Sequence, residues 1–329
     1  MSVKVIAEIA QGYEGKPEQA LLLARAGVAS GADAVKFQCV YADEIAVPAY
    51  RYHSFFRTLE MPEDVWREIA SIVRDGERQL ILNVGGERSL DMASRIGADA
   101  VKFHATSFFC DELITTAKSS FDTVYMSVGG LSVDEIDSFL ERHHFSPGEV
   151  AFTYGFQASP TPIDKNNLAK IGALMHRFPG FVFGFEDHTD AASPDRFVIP
   201  LMALAYGVQH LEKHLTLDAA LKLEDAESAL SVTDFSAFVA LVRRTSVAIG
   251  DGDLSLTDIE QDYRRRVLKV AVAKRDLAAG EVLSEENTAL RRVPELQGEP
   301  ILRRAPLYGR TVQSPVSAHT QLTNGMLEN

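Results

Sequence analysis

Two nearly identical strings, Gly31-Ala32-Asp33-Ala34-Val35-Lys36-Phe37-Gln38 and Gly97-Ala98-Asp99-Ala100-Val101-Lys102-Phe103-His104, each set a lysine inside an apolar run. The Gly-Ala-Asp turn is an ordinary way to leave a helix, because glycine closes helices readily. The lysine is not ordinary, since a strand covered on both faces reads as a continuous apolar run. Two such lysines bring positive charge to depth. Ser127, followed by Gly129-Gly130, adds a hydroxyl and open backbone N–H groups, a combination that favours a phosphate or carboxylate. Glu186-Asp187-His188 and Glu212-Lys213-His214 set carboxylates beside imidazoles, a mixture able to hold a divalent cation and to move protons. A small anionic substrate is expected. A lysine could instead form a Schiff base, as in class I aldolases.

These residues need elements that bring them together. Apolar, β-branched runs alternate with stretches of helical period, the pattern of parallel strands joined by crossover helices. Strands are expected over 3–9, 34–38, 80–84, 100–104, 123–127, 150–154, 181–186 and 208–214. Helices are expected over 17–30, 62–75, 132–141, 165–176, 195–206 and 234–249. Eight strands with intervening helices give an α/β chain closed into a (β/α)8 TIM barrel, with a doubly wound open sheet as the alternative. A barrel of this type works at the C-terminal ends of its strands. Those ends carry Glu8, then Lys36 and Gln38, Asn83, Lys102 and His104, Ser127, Tyr154 and Gln157, and the two strings ending in His188 and His214. Any one alone reads as a polar residue in a solvated loop; a contribution from every strand does not.

The bulk composition narrows the field. At 46% hydrophobic and 24% charged residues, the chain can bury a large core unaided. A net charge of −13 speaks against a nucleic-acid partner, and the only basic run, Arg264 to Arg266, is short. Cys39 and Cys110 have no metal-ligand spacing and read as free structural thiols of a reducing compartment. The opening apolar run is broken by Glu8, so neither a signal peptide nor a membrane partner is expected, and the protein is expected to be cytoplasmic. The barrel should occupy 1–250, a linker 251–266, and a small, mostly β domain 267–329. Trp66, Phe55, Phe56, Phe108 and Phe109 read as packing, and His143, His144, His176 and His319 as surface. His53 sits in the long loop 39–58, expected to overhang the barrel mouth.

Several strings resemble the N-acetylneuraminate (sialic acid) synthase family, which includes pseudaminic, legionaminic and spore-coat-polysaccharide members. They are Ala7-Glu8-Ile9, the string Gly31 to Gln38, Gly184-Phe185-Glu186-Asp187-His188-Thr189 and Glu212-Lys213-His214-Leu215-Thr216-Leu217-Asp218. The stretch 59–66 resembles that family's second helix, and Asp276-Leu277-Ala278-Ala279-Gly280-Glu281-Val282 its antifreeze-like (SAF) domain. The resemblance implies condensation of phosphoenolpyruvate with an open-chain N-acetylated amino sugar, aided by Mn2+ or Mg2+. It implies that Lys36, Gln38, Asn83, Lys102 and Ser127 hold phosphoenolpyruvate, and that Glu8, Glu186, Glu212 and Lys213 are catalytic. It gives Tyr154, Gln157, Asp187, His188 and Arg292 to the sugar, and His214 to the metal. It also implies a domain-swapped homodimer in which the small domain brings Arg292 to the other chain's site.

The departures matter too. Glu224-Asp225-Ala226-Glu227-Ser228 carries alanine where the family has a second metal histidine, leaving Asp225, or else Glu224 or Glu227, as an oxygen ligand. Gly12-Tyr13-Glu14-Gly15 replaces Asn-His-Asn-Gly, and Tyr154-Gly155-Phe156-Gln157 and Asn83-Val84-Gly85-Gly86 lie nearer the spore-coat branch. Plain N-acetylmannosamine is therefore not the expected acceptor. Two other readings remain: a condensing or aldolase-type enzyme for a phosphorylated pentose, drawing on Arg51 and Arg57, and a non-catalytic sugar-binding homologue without its metal.

Overall fold

A computed structural model describes residues 3–155 and 158–328, so Gln157 lies outside the described residues. The chain divides into two compact units, Met1–Asp251 and Gly252–Asn329. In the first, the barrel strands are β1 (Lys4–Ala10), β2 (Ala34–Cys39), β3 (Gln79–Val84), β4 (Ala100–Phe103), β5 (Val124–Ser127), β6 (Val150–Tyr154), β7 (Val182–Asp187) and β8 (His210–Thr216), with the short strand Leu230–Ser231 added alongside the end of β8. Each pairs in parallel with the next. β8 pairs back onto β1, from Lys4 against His210 to Glu8 against His214, so the sheet closes and the open-sheet alternative falls. The crossovers are α1 (Pro17–Ala29), α2 (Glu63–Asp75), α3 (Glu87–Ile96), α4 (Asp111–Ser120), α5 (Val133–His143), α6 (Ala169–Arg177), α7 (Val198–Leu204) and α8 (Val232–Ser246).

Successive side chains of a strand point to opposite faces, and this pleat sorts the barrel into two layers. The outward set, including Val5, Val35, Phe37, Leu82, Phe183 and Leu211, packs with Trp66, Phe139 and Phe238 of the helices in the main core. The inward set has an apolar lower layer of Ile6, Ala34, Ile81, Ala100, Tyr125 and Ala151. His210 closes this layer, its ring edge-on to Tyr125 at 5.2 Å, while Lys4 Nζ donates to the Tyr125 hydroxyl at 3.1 Å. Burial pushes the His210 imidazole down to about 3, so it is neutral. Gly184 makes this floor possible, because a Cβ there would overlap the His210 ring.

The second unit contains helix Asp258–Val267, capped by Thr257 and Glu260 as a capping box. Most of it falls in the span read as a linker. Its apolar residues Ile259, Tyr263 and Val267, four apart, make only a narrow stripe among the charges, and the Thr-x-x-Glu cap was its other sequence signal. Two antiparallel pairs follow, Val270–Ala273 with Thr288–Arg291 and Thr311–Val312 with Leu327–Glu328. Their core is built from Ala271, Leu277, Leu283, Leu307, Val312 and Leu322. No helix among the described residues is long and apolar enough to cross a membrane.

Candidate active site

Above the apolar lower layer the barrel interior becomes ionic. Register sets Glu8 beside Lys36 and His214, Asn83 beside Lys102, and Glu186 beside Glu212. Lys36 Nζ forms ion pairs with Glu8 and with Glu212, the latter at 2.6 Å. Lys102 Nζ donates to Glu186 at 2.6 Å and to both oxygens of Glu212 at 2.9 Å. Glu212 thus bridges the two lysines. All five side chains are buried, and three carboxylates face two ammoniums. A buried charge survives only when paired and hydrogen-bonded, so each member depends on its neighbours.

The two lysines are not equivalent. Burial opposes the charge of Lys102, but Glu186 and Glu212 outweigh it and hold the ammonium above its ordinary range. For Lys36 burial wins over the pull of Glu212, helped by repulsion from Lys102, and takes the ammonium down to about 7. Glu212 is held well below the usual carboxylate range by Lys102 and Lys36, against its burial. His104, partly buried at the cavity wall and near both lysines, is pushed down to about 3 by desolvation and their charge, and burial beside His188 keeps His214 neutral as well.

This floor opens into a cavity of about 560 Å³, bordered by Glu8, Lys36, Gln38, Asn83, Glu186, His188, Glu212, His214 and Asp225. The side-chain amide of Gln38 is held by Gln11 at 2.9 Å. Asn83 Oδ1 and His214 Nδ1 are buried without a hydrogen-bond partner among the described residues. Orphaned groups of this kind are rare in folded proteins, and at a cavity wall they are open to a water or a bound molecule. Among the described residues no three His, Cys, Asp or Glu side chains converge as a ready metal cage. The donors at this part of the wall are His188 and His214, with ring centres 4.8 Å apart, and Asp225, whose carboxyl is pushed up by burial and drawn back down by His188. Two imidazoles and a carboxylate are a mixed nitrogen and oxygen set, which a divalent first-row transition ion accepts more readily than a hard, oxygen-seeking one.

Other expected residues stand elsewhere. Lys102 and Ser127 are fully buried and lie below the cavity wall. Tyr154, Asp187 and Lys213 are on the outward side of their strands, as the pleat requires when Glu186 and Glu212 point in. Lys213 is fully buried and ion-paired with Asp187, which also accepts from the Thr189 backbone at 3.0 Å. Tyr154 lies under Lys170 of α6, 5.5 Å from its ring centre. Arg292 belongs to the second unit, where its Nε donates to the Val267 carbonyl at 3.1 Å. Arg57 is engaged by Asp43 and Glu60, Arg51 lies over Tyr52, and neither borders the cavity. The basic pair needed for a sugar phosphate is thus not assembled there. His53 is paired with Asp43 at 2.9 Å, also off the cavity wall.

Residues 23–254 match the NeuB family profile, and residues 269–328 match the SAF domain. The chain belongs to the NeuB family. It is 26% identical over 305 residues to a pseudaminic acid synthase of Campylobacter jejuni, covering 87% of this chain and 85% of that one. It is 24% identical over 315 residues to the spore coat polysaccharide biosynthesis protein SpsE of Bacillus subtilis, covering 88% and 83%. The crystal structure of a sialic acid synthetase from Leptospira borgpetersenii superposes with a TM-score of 0.74 at 22% identity, over 81% of this chain and 93% of that one.

Within this NeuB-family barrel, some cavity residues had no sequence signal. Gln11 and Ser159 reach the wall from loops, and Glu44 from the short helix Ala42–Ile45. Glu44 also accepts from the Ser89 backbone at 3.2 Å, at the start of α3, where helix N-termini attract carboxylates. Cys39 is buried but Cys110 is exposed and borders the cavity, so the structural reading fits only the first. His143, expected on the surface, is buried against Phe139 and bonded to Asp111 at 3.0 Å.

Proposed function

We propose that this chain is a phosphoenolpyruvate-dependent synthase acting on an open-chain N-acetylated amino sugar, with a nonulosonic, sialic-acid-like 3-deoxy-2-keto sugar acid and phosphate as products. The observation that carries this reading is the buried alternation of Lys36 and Lys102 with Glu8, Glu186 and Glu212 under an open cavity. Family membership and the pseudaminic acid synthase relative support it.

In this reading C3 of phosphoenolpyruvate bonds to the aldehyde carbon, the aldehyde oxygen takes up a proton, water adds at C2, and phosphate leaves. Lys36 and Lys102 offset the donor's negative charge, and Ser127 holds one of its oxygens. Lys36, whose ammonium titrates near 7, can both attract the anion and release a proton to the new hydroxyl. Glu212 holds both lysines in place and so keeps their spacing fixed. Gln38 and Asn83 offer amides to the substrate, and His188 faces the sugar. Bound by His214 with Asp225, Mn2+ or Mg2+ would supply Lewis-acid polarisation of the aldehyde.

The wall carries six carboxylates, Glu8, Glu44, Glu186, Glu212, Glu224 and Asp225. This excess would welcome a guanidinium, which supports a swapped homodimer in which the small domain of a second copy supplies its Arg292. Phosphate release from phosphoenolpyruvate by metal-stripped protein tests the reading. The panel is 2-acetamido and 2,4-diacetamido hexoses with Mn2+, Mg2+ or neither. Release that requires one sugar is expected; folded protein that releases none with any sugar and metal defeats it.

A further inference from the structure

We infer that Glu186 is a built-in occupant of the anion subsite, its carboxylate filling the place over Lys102 and Ser127 that the donor's anionic group takes, so that donor binding displaces it. This rests on the reading of Lys102 and Ser127 as anion holders.

Glu186 Oε2 accepts from Lys102 Nζ at 2.6 Å and from Ser127 Oγ at 3.1 Å. An ammonium and a hydroxyl converging on one oxygen are the donors that a phosphate or carboxylate oxygen takes. Lys102 and Ser127 are fully buried and do not border the cavity, whereas Glu186 does. The Glu186 carboxylate is therefore the partition between the cavity and the two donors. Two further features fit an anion's place. Thr153, level with Ser127 on the neighbouring strand, has a buried hydroxyl with no partner among the described residues. Gly155 leaves room for the Glu186 side chain, since a Cβ there would overlap its Cγ.

Displacement leaves the site intact. With Glu186 swung into the cavity, Lys102 still has both oxygens of Glu212 at 2.9 Å. The subsite then presents Lys102, Ser127 and Thr153. With Glu186 in place, an entering anion meets a like charge, which is strongly unfavourable at close range.

The test is calorimetric titration of the full-length protein with inorganic phosphate and with phosphoenolpyruvate, without sugar. Glu186→Ser and Glu186→Gln are compared with wild type, and melting temperatures report folding. Glu186→Ser should bind both anions tighter, by on the order of tenfold or more, since tenfold needs only about 1.4 kcal/mol. Glu186→Gln, which keeps the shape and loses the charge, should fall between. Equal or weaker binding by folded Glu186→Ser overturns the inference; if that variant does not fold, unchanged affinity in Glu186→Gln does so. Wild-type condensation without tighter binding in the variants removes this inference alone. Tighter phosphate binding without condensation by wild type for any sugar removes the synthase reading and leaves the subsite.

Discussion

Replacing Lys213 by alanine should destabilise the barrel rather than disable its chemistry. Lys213 and Asp187 are both fully buried and paired on the outer side of the sheet, and Lys213 also donates to the Thr189 carbonyl at 3.4 Å. Removing the ammonium strands the Asp187 carboxylate in the layer between strands and helices. Breaking a buried pair from one side costs about 3–5 kcal/mol, a large part of the roughly 5–15 kcal/mol that holds a domain together. At about 2–4 °C per kcal/mol for a unit of this size, the melting temperature should drop by roughly 6–20 °C. Urea denaturation followed by circular dichroism measures the loss, and turnover assayed well below the transition measures the chemistry. The folded variant should turn over near the wild-type rate, and Asp187→Asn/Lys213→Met should regain part of the lost stability. Wild-type stability with turnover abolished would show that Lys213 acts on substrate and that its outward placement is mistaken.

Lys36, titrating near 7, should make donor affinity fall as pH rises through 7, read as a rising KM for phosphoenolpyruvate; a flat profile from about pH 6 to 9 contradicts this. The linkage has a definite sign: the unfolded chain keeps this proton up to the ordinary lysine range near 10.4 while the folded one sheds it near 7, so this group's contribution to stability improves with pH between the two. Gly184→Ala should cost about 1–3 kcal/mol or more through overlap with His210, and Gly184→Ala/His210→Ala should recover part of it in urea denaturation; additive losses would place the strain elsewhere. His214→Ala should weaken Mn2+ binding, measured by electron paramagnetic resonance, by at least the roughly 10–100-fold typical of losing an outer-shell partner. Unchanged Mn2+ affinity removes His214 from the ligand set.

The barrel was legible because its strands are short apolar runs, and because the repeated Ala-Val-Lys-Phe puts lysines where β2 and β4 should have none. The site was legible only in part, because Glu186-Asp187-His188 and Glu212-Lys213-His214 read as compact clusters. A strand divides such clusters by parity: Glu186 and Glu212 turn inward, Asp187 and Lys213 outward. That parity was available once Glu8 and Lys36 were taken as inward, since alternate residues share a face. Tyr154 goes outward by the same rule. What no parity supplies is the contribution of the segments between strands, so Gln11 and Ser159 in loops and Glu44 in the short helix Ala42–Ile45 could not be seen. The i, i+4 pair Phe139–His143 could have been read from one helix, but not that Phe145 and Asp111 complete the cover of His143.

The charged chain Glu8–Lys36–Glu212–Lys102–Glu186 constrains how this sequence can drift. Losing either lysine first leaves a terminal carboxylate, Glu8 or Glu186, without its ammonium counter-charge at the cavity floor. Losing a terminal carboxylate first strands no ammonium, because Glu212 serves both lysines. Mutational order is therefore asymmetric: lineages can discard Glu186 or Glu8 and later a lysine, but the reverse order passes through an intermediate that folds poorly. Descendants with altered anion preference should carry the carboxylate change as the older of the two.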